Sequence, residues 1–61
     1  MNFEINLKIN YKNYANYIPC FSAWSGNHIA IGAMREDSNI ESIEMIDRET
    51  NTILKTYVRS L

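Results

Sequence analysis

The sequence predicts a mainly β protein: a small antiparallel sheet of 4-5 strands with one short helical turn. Three observations predict this class. Residues 2–11 alternate between apolar and polar side chains, residues 20–34 have apolar arms around the turn-like "SGN", and residues 42–59 are rich in Thr, Ile and Val. A chain of 61 residues has room for one domain with a thin core, so we expect a single small domain over residues 1–61.

The first predicted strand covers residues 2–11 and has the strongest pattern in the sequence. Its apolar side chains would share one face of the sheet: Phe3, Ile5, Leu7, Ile9 and Tyr11. Its polar side chains would share the other face: Glu4, Asn6, Lys8 and Asn10. A period of two residues over this length indicates a strand with one buried face.

Three tyrosines follow at a spacing of three residues: Tyr11, Tyr14 and Tyr17. This spacing fits one or two turns of helix, so we expect a short helical turn near residues 11–17. Pro19 would end it, because a proline disfavours helical backbone at the residue before it.

A hairpin is predicted over residues 20–34, with Gly26 and Asn27 as its loop. Its arms carry a patch of small residues: Ala23, Ala30, Gly32 and Ala33. A patch with so little side chain needs a large group to cover it. The tyrosines are the nearest candidates in the sequence.

The last third favours a second hairpin over residues 42–59. Asn51 can adopt the left-handed conformation of a tight turn, which places Ile43 opposite Tyr57 and Ile46 opposite Leu54. The alternative is an α+β fold with a C-terminal helix over residues 39–60, because "SNIE" fits a capping box and several apolar residues have heptad-like spacing. The many threonines and β-branched residues form helices poorly and favour the hairpin.

Composition argues against an enzyme, a metal and a cofactor. His28 has no carboxylate or serine at a catalytic spacing, and Cys20 would face Ala33 in the predicted hairpin. Structural zinc takes four ligands, whereas Cys20 and His28 are the only soft ligands present. The two glycines do not form a phosphate-binding loop. We therefore expect no catalytic, metal or cofactor site.

Charge and hydropathy exclude further classes. Six basic and seven acidic residues give a net charge of -1, which lacks the basic footprint of a protein that binds duplex nucleic acid. No apolar run approaches the roughly 20 residues of a membrane span. A single cysteine cannot form an intrachain disulfide and fits a reducing compartment. We expect a cytoplasmic protein.

Self-association is the remaining way to stabilise so small a chain, so we expect a homodimer. Tyrosine and tryptophan are enriched at binding hot spots. The candidate partner-binding residues are Tyr14, Tyr17, Trp24 and Tyr57. The alternative is a small single-strand nucleic-acid-binding or regulatory protein that stacks bases on the Tyr11, Tyr14 and Tyr17 stripe, although few cations lie near it, so nucleic acid is the less favoured partner.

The function that these observations favour is that of a non-catalytic small binding protein. It would act by self-association and by blocking or modulating a larger protein, because a chain without a site of its own acts on the surface of another molecule. In size and residue usage the chain resembles accessory proteins of bacteriophages, some of which inhibit bacterial defence systems or host enzymes. The resemblance implies an inhibitor that works in the host cell cytoplasm.

Overall fold

The computed structural model describes residues 2–59, which form a four-stranded antiparallel sheet with one helix on one face. The elements are, in chain order, β1 (Ile5–Asn10), β2 (Ala15–Cys20), α1 (Ala23–Glu36), β3 (Ser42–Asp47) and β4 (Thr52–Val58). The strand order is β2-β1-β3-β4. The predicted class, a mainly β fold with an antiparallel sheet, is confirmed. Residues 1, 60 and 61 of the predicted domain lie outside the described residues.

The alternating segment forms a strand as predicted, but β1 covers Ile5–Asn10 of the predicted residues 2–11. It is one of the two central strands of the sheet. Ile5, Leu7 and Ile9 are buried on the face that α1 covers. In the middle of the sheet, Leu7 lies between Ile18 of β2 and Met45 of β3. Burying a side chain of this size stabilises the fold by about 1.5–3 kcal/mol. The opposite side of the sheet, here called the open face, carries the polar residues of β1.

The helical turn predicted near residues 11–17 is wrong. The N–H of Tyr11 donates a 2.8 Å hydrogen bond to the carbonyl of Tyr14, which closes a turn, and β2 begins at Ala15. Six residues of β2 pair with β1, whereas one or two isolated helical turns would not repay the cost of nucleation. Pro19 is tolerated in β2 because this strand is at the edge of the sheet.

The hairpin predicted over residues 20–34 is also wrong, because this segment forms α1. Ser22 is the N-cap: its hydroxyl accepts from the N–H of Ser25, and the Ser25 hydroxyl accepts from the N–H of Ser22, both at 3.3 Å. This reciprocal capping starts a helix. Gly26 and Asn27, predicted as a turn, lie in its second turn.

The small residues of α1 allow the helix to lie close to the sheet. A Cβ on Gly26 would lie 3.4 Å from Cε of Met45 and 3.6 Å from Cγ2 of Ile5, and Ala30 is fully buried. Aliphatic side chains of β1 and β3 therefore cover Gly26. Of the predicted small-residue patch, Ala30 and Ala33 pack in or against the core, whereas Ala23 is exposed and a Cβ on Gly32 would meet no atom within 4 Å, so no large group covers the whole patch. The eight buried residues of the core are Ile5, Leu7, Ile9, Cys20, Ala30, Ile40, Ile43 and Met45.

The C-terminal hairpin is confirmed as β3 and β4, and the alternative helix over residues 39–60 is wrong across its described part. Asn51 has a positive φ of 59°, as expected for the turn. Ile43 lies opposite Tyr57 as predicted, but Ile46 lies opposite Ile53. A β-bulge causes the difference, because it inserts Leu54 as an extra residue in β4.

Candidate protein-binding surfaces

The four predicted partner-binding residues lie on different parts of the molecule. Tyr14 is 60% exposed at the β1–β2 turn, and Tyr17 is 59% exposed on the open face beside Lys8. Trp24 is 74% exposed on α1. Tyr57 is half-buried and packs against the core. A single partner-binding site cannot contain all four, and Tyr57 has the least surface to offer.

The tyrosine stripe required for a stacking platform is not formed. The rings of Tyr11 and Tyr14 stack on each other, with centroids 4.6 Å apart and planes 13° apart. The hydroxyl of Tyr11 donates to Oδ2 of Asp37 at 3.4 Å, and desolvation together with the Asp37 charge raises the pKa of Tyr11. Tyr17 is separated from this pair because it lies on β2. No row of three parallel rings exists for bases to stack on.

Polar groups that bond to one another occupy the centre of the open face. Nζ of Lys8 lies 3.9 Å from a carboxylate oxygen of Glu44. The side-chain amide of Asn10 donates to Glu44 and to the hydroxyl of Ser42, both at 3.1 Å. The Lys8 ammonium is therefore paired with the Glu44 carboxylate. This part of the sheet has the composition of a face in contact with water.

The outer edge of β4 differs from that of β2. β4 is an edge strand of the sheet, so its outer backbone groups have no strand partner among residues 2–59. Pro19 blunts the other edge, at β2, whereas β4 contains no proline. Three of its apolar side chains are exposed: Ile53, Leu54 and Val58. We call this feature the strand edge.

A second candidate surface runs along the outer side of α1. It consists of Trp24, His28, Ile31 and Arg35, and we call it the helix stripe. Residues separated by three or four positions lie side by side on a helix. The Trp24 and His28 rings pack edge to face, with their centroids 4.4 Å apart.

The helix stripe is unusually poor in charge for a surface that faces water. α1 contains no charged residue from Ala23 to Met34, and its two charges, Arg35 and Glu36, are at its C-terminal end. A surface helix normally places charged residues opposite its buried side. An exposed tryptophan and isoleucine on this uncharged stretch, residues 23–34, are typical of a contact surface.

Exposed aromatic residues also meet at the end of the sheet where α1 begins. The Phe3 and Phe21 rings stack with centroids 4.6 Å apart, and the guanidinium of Arg48 lies 6.0 Å from the Phe3 centroid. These contacts cover part of each ring.

The nucleophile and the base that the sequence offers are on opposite sides of α1. Cys20 is buried, its Sγ lies 3.7 Å from the carbonyl of Ile18, and burial raises the pKa of its thiol. His28 belongs to the exposed helix stripe. A thiol with a raised pKa and no adjacent base is poorly activated for nucleophilic attack.

Sequence reasoning found Trp24 but missed the rest of the helix stripe. The spacing of residues 24, 28, 31 and 35 is present in the sequence, and it alternates between four and three residues as in a coiled-coil seam. Because "SGN" predicts a hairpin turn within this segment, the helical spacing does not stand out in the sequence. Of β4, the predicted site residues include only Tyr57, which is not one of the exposed apolar residues of the strand edge.

Neither the described part of the chain nor the comparisons with known proteins assign a function. Within residues 2–59, no helix has the length and apolar character needed to cross a membrane. The same residues contain no group of three or more His, Cys, Asp or Glu side chains placed to hold a metal ion. Comparisons with protein-family models, curated proteins and solved structures found no match to this chain.

Proposed function

We propose that the chain is a non-catalytic binding protein that associates with itself and blocks or modulates a larger protein. The observation that carries the proposal is the strand edge. Residues Thr52–Val58 combine an outer backbone edge that pairs with no other described strand and three exposed apolar side chains. An edge strand of this kind can accept a strand from a partner, with backbone hydrogen bonds for affinity and side-chain contacts for selectivity.

The distribution of apolar side chains supports the same function. Among residues 2–59, ten large apolar or aromatic side chains are exposed, whereas eight residues form the buried core. Exposed apolar patches on a soluble protein commonly mark interaction sites. The strand edge lies on β4 and the helix stripe on α1, so one surface can serve self-association while the other contacts the target. A groove lined by Ile31, Arg35 and Val58 connects the two surfaces at one end.

The strand edge also favours a protein partner over a nucleic acid. Lys55 is the only charged residue of β4, and its ammonium group is 3.3 Å from Oδ1 of Asn27. Phosphate binding needs several available cations along a groove. By its size and composition, the chain fits a phage-type inhibitor that acts on a bacterial defence system or host enzyme in the host cytoplasm.

A capture experiment tests this proposal. The wild-type chain and the double variant Ile53→Thr/Val58→Thr are immobilised and exposed to a bacterial lysate. Threonine retains the β-branched shape and strand preference of these positions but removes apolar surface. The matched control is Asn16→Thr, an exposed position on the opposite edge strand. Captured proteins are then purified and their affinity is measured against all three chains.

We expect one protein to bind the wild type and the control with equal affinity, and to bind the double variant at least about tenfold more weakly. Equal binding of all three chains would show that the strand edge does not contact the target. Tight binding of single-stranded oligonucleotides, with affinity that falls steeply as salt rises, would instead favour the nucleic-acid alternative.

A further inference from the structure

We propose that the helix stripe is the self-association surface, on which α1 of a second copy packs antiparallel. The inference rests on the self-association in the proposed function and adds the surface, the orientation and the residue pairs. It places the interface on the helix, whereas the target-binding strand edge is on the sheet.

The spacing of the helix stripe is the same in both directions along the helix. The intervals between Trp24, His28, Ile31 and Arg35 are four, three and four residues. In an antiparallel pair related by a two-fold axis between residues 29 and 30, Trp24 lies opposite Arg35 of the second copy. His28 then lies opposite Ile31. The alternation of four and three is that of the a and d positions of a coiled-coil seam, in which side chains of two helices interlock.

The charges also suit an antiparallel pair. Arg35 is the only charged member of the stripe, so a parallel pair would place two guanidinium groups together at one end of the interface. The antiparallel pair instead places each guanidinium against an indole ring, where a cation–π interaction is favourable. The flanking positions of α1, Ser25 and Gly32 on one side and Asn27 and Met34 on the other, are themselves uncharged. The nearest cation on the second side is Lys55, whose ammonium lies 3.3 Å from Oδ1 of Asn27.

Gly32 provides an independent observation. A Cβ at this position would have no neighbouring atom within 4 Å, so the fold of the single chain does not require a glycine there. Glycine in the middle of a helix costs about 0.5–1 kcal/mol relative to alanine. Gly32 flanks the helix stripe, where a missing side chain lets the backbone of a second helix approach closely. Packing of a second copy therefore accounts for a glycine that the monomer does not need.

The size of the surface sets the expected affinity. α1 has 14 residues, about four turns, and one such helix pair buries less than the roughly 1,600 Å² of a standard interface. We therefore expect a reversible dimer with a dissociation constant in the micromolar range. Trp24 is the only tryptophan in the chain, so its fluorescence reports directly on burial of the helix stripe.

The test combines sedimentation equilibrium with tryptophan emission over a concentration series. For the wild type we expect a monomer–dimer equilibrium, with Trp24 emission that shifts to shorter wavelength as dimer forms. Gly32→Gln should weaken dimerisation at least about tenfold while raising the melting temperature of the dilute monomer, because glutamine is the better helix former. Asn13→Gln, at the exposed β1–β2 turn, is the control and should leave dimerisation unchanged.

A second pair of variants tests the charge pairing. Arg35→Glu should weaken the dimer at least about tenfold, because a carboxylate would replace the cation against the indole ring. Lys12→Glu makes the same change in net charge at the exposed β1–β2 turn and should have no effect. A wild-type chain that stays monomeric, or a dimer that neither Gly32→Gln nor Arg35→Glu weakens, would overturn the inference. Target capture by the strand edge would persist in both cases, which separates this failure from failure of the proposed function.

Discussion

The hydroxyl of Tyr57 donates a 2.7 Å hydrogen bond to Oδ1 of Asn27 and so joins the outermost strand to the helix. The same oxygen accepts from Nζ of Lys55 at 3.3 Å, and that ammonium lies 4.9 Å from the centre of the Tyr57 ring. Burial raises the pKa of Tyr57. The three side chains together hold β4 against α1 while leaving the outer edge of the strand free.

Tyr57→Phe should lower the free energy of unfolding by about 1 kcal/mol, because it removes one donor from a partly buried hydrogen bond without changing the ring. Tyr14→Phe is the matched control, since the Tyr14 hydroxyl makes no hydrogen bond to another described side chain and the ring is exposed. Urea denaturation measures both. Equal stability of the two variants would show that the Asn27 bond contributes nothing.

Arg59→Lys should destabilise the chain by about 1–3 kcal/mol. The Arg59 guanidinium donates to the carbonyls of Met34, Asp37 and Ile40 at 2.8, 2.6 and 3.0 Å, and so satisfies groups at and beyond the end of α1. Lysine keeps the positive charge, but its compact ammonium group lacks the planar set of N–H donors with which the guanidinium reaches three carbonyls. Arg48→Lys, an exposed arginine near the other end of the fold, should cost under about 0.5 kcal/mol in the same urea titration.

Gly26 and Gly32 should respond differently to large side chains. Gly26→Leu should destabilise the fold by about 1–3 kcal/mol, because the new side chain would displace Met45, Ile5 and Leu7 from their packing. Gly32→Leu adds the same side chain in open space and should not destabilise the dilute monomer. Thermal melts at low concentration measure the difference. A Gly26→Leu chain as stable as the wild type would mean that the helix is not fixed against the sheet at this distance.

The three tyrosines of the β1–β2 hairpin should separate into one structural residue and two surface residues. Tyr11→Ala should cost about 2–4 kcal/mol, because Tyr11 packs against the core and bonds to Asp37. Tyr14→Ala and Tyr17→Ala should each cost under about 1 kcal/mol, since both rings are mostly exposed. Chemical denaturation of the three variants decides this, and three equal losses would contradict it.

Stability should fall in alkaline solution, beginning with Cys20. Burial raises the pKa of its thiol in the folded chain, so the folded chain holds this proton more tightly than the unfolded chain. The contribution is complete below about pH 8.5, where the thiol of the unfolded chain ionises, and decreases as pH rises towards the folded pKa. Tyr57 and Tyr11, whose pKa values are also raised, should add a second decrease above about pH 10.

Urea midpoints measured from pH 7 to 11 test this order. Cys20→Ala should abolish the first decrease and retain the second. A first decrease that persists in Cys20→Ala would assign it to another group. The same burial should make the folded chain react with thiol reagents much more slowly than the unfolded chain.

The sequence determines β1 and the C-terminal hairpin of this fold more clearly than β2 and the helix. In residues 2–11 the alternation has one interpretation, because a period of two fits only a strand, and Asn51 marks the C-terminal turn through its left-handed conformation. The segment around Gly26 and Asn27 has two interpretations, since "SGN" is a common turn sequence and the flanking alanines fit a strand or a helix. The capping pair of Ser22 and Ser25 selects the helix.

Contacts between residues far apart in sequence determine the features that could not be predicted: β2, the bulge in β4 and the helix stripe. The tyrosine spacing gave no sign that β1 would pair with residues 15–20, because local spacing does not encode a partner strand. The bulge at Leu54 depends on how β4 fits beside β3, so a register from turn geometry alone missed it. Of the candidate surfaces, Trp24 could be predicted from residue type, whereas the helix stripe required the helix to be known.

The strand order β2-β1-β3-β4 has a kinetic consequence. Each hairpin closes between neighbours in sequence, but pairing between β1 and β3 joins residues far apart, as between Asn10 and Glu44, which are 34 positions apart. Chain entropy delays contacts across so long an intervening segment. The two hairpins can therefore form early and independently of each other. The pairing of β1 with β3, together with the packing of α1 over these two strands, is then the step that sets the folding rate.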